Sequence, residues 1–169
     1  VLVFEKIHGS NIQIMGIYND GKWNVKIGSR KRWITSEDKF NNIQQIYTNN
    51  ITNIHNLFDD AVKYFDYKDG VVVRIYGEVF GGKYGGKSSP SAMKTQSEPN
   101  YGYDNDVAFF GMTIDGVTVP ILRVVELIKA HNLKHPPIIF QGQLADFLKD
   151  FDVNKFQSRV SSEFYDLEF

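Results

Sequence analysis

Apolar and polar positions change rhythm several times along the chain. Two short β-rich runs, 12–18 and 22–29, flank Asn19-Asp20-Gly21, and Trp23, Val25 and Ile27 alternate with polar neighbours in the second. Alternation on either side of an Asn/Asp-Gly turn predicts a β-hairpin. Thr35-Ser36-Glu37-Asp38 is a helix-start signal, followed by Ile43, Ile46 and Tyr47 at helical spacing, and Asn49-Asn50 predicts a break. A second helix is predicted over 52–65, with Ile54, Leu57, Phe58, Val62 and Phe65 on one face. Further on, 71–80 reads as a buried strand, 107–114 as a strand, 119–130 as a helix, 137–140 as a short strand and 143–151 as a helix. Residues 81–106 are rich in Gly, Ser, Pro and Asn with scarcely an aliphatic side chain, which predicts a long mobile surface loop. With no internal repeat and no dividing linker, the expectation is one domain over 1–169, a sheet-rich core with helices laid against it.

Composition narrows the partners. Hydrophobic residues make up 42% and aromatics 14%, enough for a core at this length. No apolar run is long enough to span a membrane and no charged-then-apolar leader is present, so a membrane is not expected as a partner. The absence of cysteine excludes disulfides and cysteine-ligated zinc, and fits an intracellular compartment. A formal net charge of −1 means that nucleic-acid binding must rely on a local patch, for which Lys22, Lys26, Arg30, Lys31 and Arg32 are the candidates. A solvated strand face is the plainer reading of those cations.

The chemistry concentrates in two segments. Glu5-Lys6-Ile7-His8-Gly9-Ser10-Asn11 follows the apolar run Val1-Leu2-Val3-Phe4, and Gly77-Glu78-Val79-Phe80-Gly81-Gly82-Lys83-Tyr84 ends the 71–80 strand. A lysine at a strand end with a tight turn behind it can act as a nucleophile, once desolvation, neighbouring cations or a metal favour the free amine. Gly9 lets backbone approach closely, and His8 and Asn11 supply polar groups that can orient a phosphate.

These residues resemble the nucleotidyltransferase domain of ATP-dependent RNA ligases, the phage nick-sealing and trypanosome RNA-editing type. Lys6, His8, Gly9, Ser10 and Asn11 match the family's KxHG(T/S)N motif, in which the lysine becomes adenylated. DNA ligases and capping enzymes usually have Asp in place of His8. The resemblance implies an α+β nucleotidyltransferase (ligase adenylation-domain) fold, largely antiparallel sheets with flanking helices. It also implies that Glu5, His8, Gly9 and Asn11 bind nucleotide and that Glu78, in a GE(L/V)xGGxY-like motif, contacts the ribose. Ser29-Arg30-Lys31-Arg32-Trp33-Ile34 resembles a motif whose arginine engages a phosphate. Arg30 is the first choice there and Arg32 the alternative, and Arg30, Lys31 and Arg32 are the expected RNA contacts. In Phe109-Phe110-Gly111-Met112-Thr113-Ile114 the family's base-stacking position falls at Met112, or Phe110 takes it over.

Relatives continue with a Glu-Gly-aliphatic strand and a Lys-x-Lys strand that holds the α-phosphate, and neither pattern precedes Phe169. The chain also starts at Val1 without Met, so a partial adenylation domain of low activity is expected. The implied reaction uses ATP and Mg2+. Lys6 takes AMP with loss of pyrophosphate, AMP passes to an RNA 5′-phosphate, and a 3′-hydroxyl displaces it, on RNA ends or a nicked duplex. A DNA-ligase or capping-type nucleotidyltransferase and a catalytically silent nucleic-acid-binding remnant are the alternatives.

Other motifs are weaker. Gly81-Gly82-Lys83-Tyr84-Gly85-Gly86-Lys87-Ser88 matches the phosphate-cradling GxxxxGK(S/T), but Ser89-Pro90-Ser91 and the residues beyond offer no helix to complete it. Asp115 at a strand end can imitate that motif's magnesium-binding aspartate. His131 and His135 have helical metal-pair spacing, yet Pro136-Pro137 ends the helix, and His55 is a lone histidine. No residue spacing identifies a metal site, so any metal is expected to arrive with the nucleotide.

Overall fold

The computed structural model describes residues 1–96 and 98–168. Its first strand, β1 (Leu2–Phe4), belongs to a small sheet, and the chain then crosses to a long hairpin, β2 (Ser10–Asn19) and β3 (Lys22–Ser29). Asn19 pairs with Lys22 across the turn, and Asp20 and Gly21 both have positive φ, 51° and 77°. A two-residue loop with both residues left-handed matches the right-handed strand twist, which is why Asp-Gly stands there. After β4 (Trp33–Ile34) and helix α1 (Ile43–Ala61) come β5 (Val72–Gly81), β6 (Asn105–Ile114) and β7 (Val117–Thr118). These build an antiparallel sheet in the order β4-β3-β2-β5-β6-β7. Helix α2 (Ile121–Ala130) leads to β8 (Ile138–Gln141), which pairs antiparallel with β1 in a separate two-stranded sheet, and α3 (Leu144–Asp150) and α4 (Val160–Tyr165) follow. Antiparallel sheets with flanking helices meet the fold-class expectation.

Side chains alternate across the large sheet, so its faces differ. Ile12, Ile14, Ile27, Val73, Ile75 and Val79 join α1 and α2 in the main core, and the intervening Asn11, Gln13, Lys26, Arg74, Tyr76 and Glu78 lie on the opposite face. At one end of that opposite face a second cluster, Ile7, Phe80, Tyr101, Ala108 and Val160, anchors α4. The seam between α1 and α2 is ionic: Asp60 meets Lys63 at 2.9 Å, Arg123 at 3.6 Å and His131 at 2.9 Å.

Three local expectations are corrected. Asn49-Asn50 does not break the helix: α1 continues through both residues and ends at Ala61, short of residue 65. Asn50 Nδ2 donates to the Ile46 carbonyl at 2.8 Å and Asn49 Oδ1 accepts from Gln45 Nε2 at 2.8 Å, so both side chains are satisfied within the helix. The propensity cost of each, below about 0.7 kcal/mol, is outweighed by burial of Ile46, Ile54, Leu57 and Phe58. Thr35-Ser36-Glu37-Asp38 does not begin α1 either. Asp38 serves the loop before it, and a 3-10 turn (Phe40–Asn42) with left-handed Asn41 and Asn42 leads into the helix.

The third concerns the segment between β5 and β6, which contains packed residues as well as surface turns. Ala92 and Tyr101 are buried, Asn105 Nδ2 donates to the Met93 carbonyl at 2.6 Å and to the Gly81 carbonyl at 3.2 Å, and Asp104 accepts from the Ser89 N–H at 2.8 Å. Ser97, within the expected loop, lies outside the described residues.

Phe58 is fully buried and lies against Trp23, with ring centroids 5.1 Å apart. Phe58→Ala is expected to cost about 3–5 kcal/mol of folding stability, read as a lowered midpoint in urea denaturation.

Candidate active site

Between β1 and β2 the chain continues the in-out rhythm of a strand. Glu5 and Ile7 are buried, and Lys6 and His8 are exposed. The segment is fixed at three points. The Glu5 N–H donates to the Pro137 carbonyl at 2.9 Å, Ile7 enters the second cluster, and the His8 N–H donates to Tyr101 Oη at 3.1 Å. Gly9 then passes under β5 so closely that a Cβ would stand 2.0 Å from the Val79 carbonyl oxygen. Only glycine fits there, which is the physical reason for the glycine that closes Lys-x-His-Gly.

The β2–β5 register sets Asn11 opposite Glu78. Lys6, Gly9, Asn11 and Glu78 thereby share one wall of a cavity of about 680 Å³, and Arg30, Lys31 and Arg32 with Ser29 form another. That volume lies within the range of small-molecule sites. Burial raises the Glu78 pKa; the Lys6 ammonium, donation from the Gly9 N–H and the Asn11 side chain, and His8 oppose the rise without cancelling it. The carboxylate, the amine and the amide are thus electrostatically linked before any ligand arrives.

The cationic wall is a tight turn between β3 and β4. Ser29 organises it: its N–H donates to the Arg32 carbonyl at 2.8 Å and its Oγ accepts from the Lys31 and Arg32 N–H groups, each at 3.3 Å. The Arg32 guanidinium is bidentate to Asp38, at 2.8 and 2.9 Å, and Asp38 also accepts the Thr35 N–H at 2.8 Å. These donors hold the Asp38 carboxyl well below the usual carboxylate range. Arg32 is thereby committed to its own loop. Arg30 and Lys31, at the tip, have no ion-pair partner among the described residues.

Several expected site residues stand elsewhere. The Glu5 side chain is 5% exposed, and its carboxylate accepts from Ser158 Oγ and, at 2.8 Å, from the Arg159 N–H, so it anchors the C-terminal segment. Met112 is 1% exposed in the main core, on the helix side of the sheet and across it from Glu78. Phe110 is the 36%-exposed extra residue of a β-bulge, since Tyr76 pairs with Gly111 and Gly77 with Phe109. Of the two base-stacking candidates, Phe110 alone presents a face to solvent. His8 is exposed and lines an aromatic pocket together with Tyr101, Phe147 and Phe151. Lys22 pairs with Asn19 at the hairpin turn, the far end of β3 from Arg30, and leaves the basic patch.

The phosphate-loop motif is not completed. Gly85–Lys87 is a single 3-10 turn and Ser88 is extended (φ −74°, ψ 146°), so no helix N-terminus faces a phosphate there. Asp115 is a left-handed turn residue whose Oδ1 accepts the Val72 N–H at 2.8 Å. His131 pairs with Asp60, His135 with the Pro136 carbonyl and His55 with Tyr47. Among the described residues no group of three His, Asp or Glu can hold a metal ion. Phe40, which lines the cavity, and Tyr101, which holds the His8 N–H, had no place among the residues expected from the sequence. The available signal for Tyr101 was an aromatic pair, Tyr101 and Tyr103, in a stretch otherwise poor in apolar side chains.

Two antiparallel sheets, flanking helices and a lysine, asparagine and glutamate around one cavity define a ligase-type nucleotidyltransferase fold. The sequence model of the family described as RNA ligase matches residues 1–163, and the chain belongs to that family. No curated protein sequence matches it. Among solved structures, Naegleria gruberi RNA ligase with PPi is similar at a TM-score of 0.50 and 14% identity, over 82% of this chain and 36% of that one. A mutant of the same enzyme with ATP and Mn gives 0.53 and 12%, over 88% and 40%. Another, with AMP and Mn, gives 0.53 and 14% over the same shares. The chain thus spans 36–40% of the length of these enzymes.

Glu78 yields a pH prediction. A carboxyl whose folded pKa lies above its unfolded value holds its proton more tightly when folded, so stability is greatest below the ordinary value of 4.5 and declines as pH rises from there through the raised pKa. Glu78→Gln should therefore match the wild type in thermal unfolding at acid pH and exceed it at neutral pH. A mutant less stable at neutral pH would contradict the assignment of burial as the dominant influence.

Proposed function

We propose that this chain carries the nucleotide-transfer centre of an RNA ligase and that Lys6 is its nucleophile. The observation that supports this best is the gathering of Lys6, Asn11, Glu78 and Arg30 around one cavity by Gly9 and the β2–β5 register. The Lys6 amine, having lost a proton, attacks the α-phosphorus of ATP. The bond from that phosphorus to the bridging oxygen breaks, and pyrophosphate leaves with the negative charge. In this reading Arg30 and Lys31, which line the cavity, serve as cations for the phosphates, Glu78 binds the ribose and Asn11 helps orient a phosphate. AMP then passes from Lys6 to an RNA 5′-phosphate, and a 3′-hydroxyl of a second RNA end or of a nick displaces it.

A divalent cation, Mg2+ in this reading, would neutralise the polyphosphate. Glu78 is the one carboxylate among the described residues lining the cavity, which suits a metal carried in on nucleotide phosphates. A reaction that consumes ATP fits an intracellular compartment, which is part of the same proposal.

Incubation with α-labelled ATP and Mg2+, on this chain and on a longer protein containing it, followed by denaturing electrophoresis, tests the reading. The expected result is an acid-labile, base-stable protein label that falls to background in Lys6→Ala and persists in Lys87→Ala. Label retained by Lys6→Ala, or lost only in Lys87→Ala, would overturn it. Within the cationic turn, Arg30→Ala should lower the labelling rate at least about tenfold with thermal stability unchanged. Arg32→Ala, by freeing Asp38, should instead lower stability along with rate.

A further inference from the structure

Beyond the nucleotide cavity, on the other side of the β3–β4 turn, lies a second opening of about 380 Å³ at the edge of the large sheet. Trp33 forms one side, and Lys26, Ser36, Gln44 and Tyr47 contribute polar groups to the rest. Trp33 is 44% exposed, whereas the other tryptophan, Trp23, is 8% exposed with its indole N–H on Asp59. A single exposed aromatic is unremarkable by itself. This one is held in place from several directions. Trp33 pairs with Gly28, and its ring comes so near that a Cβ on Gly28 would meet it at 3.0 Å. The next residue, Ile34, is buried in the main core, and the preceding Arg32, clamped by Asp38, also donates to the Trp33 carbonyl at 3.4 Å. The platform is therefore preorganised, and a planar ligand stacking on it orders little further.

Charge specifies the ligand. Arg30 and Lys31 at the turn and Lys26 in the opening have no ion-pair partner among the described residues. Lys31 and Arg30 line the nucleotide cavity, and Trp33 and Lys26 line the edge opening, so cations without an ion-pair partner stand at both. Stacking surface next to unpaired cations is the combination that binds single-stranded nucleic acid, where each base on an aromatic ring is worth about 1–3 kcal/mol.

We propose that the edge opening is a base-binding subsite for an RNA strand whose reacting end lies at Lys6. The strand's phosphates cross the turn on Arg30 and Lys31, and a base near the end stacks on Trp33 with Lys26 beside its phosphate. Ser36 and Gln44 Oε1 offer hydrogen bonds to the edge of that base, since Gln44 Nε2 already donates to the Thr35 carbonyl at 2.9 Å, and Tyr47, its hydroxyl paired with His55, lines the opening beside them. The direction of the strand rests on the ligase reading; the subsite itself does not.

The test is titration of the chain with a short 5′-phosphorylated oligoribonucleotide, followed by tryptophan emission and, independently, by fluorescence anisotropy of a labelled oligonucleotide. The wild type should bind with quenching of Trp33. Trp33→Ala should weaken binding at least about fivefold, and Trp33→Phe should retain most of the affinity while abolishing the quench. Lys26→Ala should weaken binding with the quench intact. Equal affinity for wild type and Trp33→Ala, or inorganic polyphosphate competing as well as RNA at every variant, would overturn the subsite and leave an unspecific cationic patch. The adenylation assay on the unmutated chain and on the longer protein, run in parallel, separates the two proposals. RNA binding with Trp33 quenching but no adenylation removes the ligase mechanism and keeps the subsite, and adenylation with no contribution from Trp33 does the reverse.

Discussion

Gly9 lies beneath the Val79 carbonyl with no room for a side chain, and this contact fixes how the segment carrying Lys6 joins the large sheet. From it β2 runs alongside β5 in a register that sets Ser10 against Val79 and Asn11 against Glu78. Because side chains alternate, a slip of one residue would carry Glu78 to the helix side of the sheet and Val79 into the cavity. Such a slip is opposed by the main core, where Ile12, Ile14, Ile75 and Val79 are buried to within 1%. The apolar face thus holds the polar face in place, and the position of the site follows from the packing of residues that never touch a ligand.

The same interlocking explains what the sequence made legible. The hairpin, β5, β6, α2 and α3 were readable because turn chemistry and hydrophobic period agree there, whereas α4 was not foreseen. Lys6, Gly9, Asn11, Glu78 and Arg30 were readable because they fall in short runs whose residue types have few other uses. Asn49 and Asn50 misled because local propensity yields to burial several residues away on either side. Met112 misled because the β6 bulge changes which positions face which side, and a bulge leaves little trace in a single sequence. Glu5 misled because its partners, Ser158 and Arg159, lie far along the chain and only folding brings them together. For Lys22, nearness in sequence suggested a shared basic patch with Arg30, but the length of an extended strand separates them.

The site also shows where the fold bears a cost for its chemistry. Glu78 is desolvated beyond what its donors and the Lys6 ammonium offset. Glu5, next to Lys6, is a buried carboxylate held by a hydroxyl and a backbone N–H. The first is an unfavourable environment that a ligand can relieve, and the second ties the lysine segment to the chain's C-terminal portion through a satisfied hydrogen-bond pair. α4 strengthens that tie: Tyr165 donates to Asp106 at 2.6 Å, and Lys134 meets the same carboxylate at 2.9 Å.

The Arg32–Asp38 clamp has a consequence for how strongly ionic strength acts on this surface. Three successive cations occupy the β3–β4 turn, but the third is already neutralised by an internal carboxylate. A polyanion lying across the turn therefore releases condensed counterions on account of Arg30 and Lys31 only, each contributing roughly 0.7 to the logarithmic salt exponent on a single strand. The turn spends one guanidinium on holding its shape and meets the polyanion with two net charges.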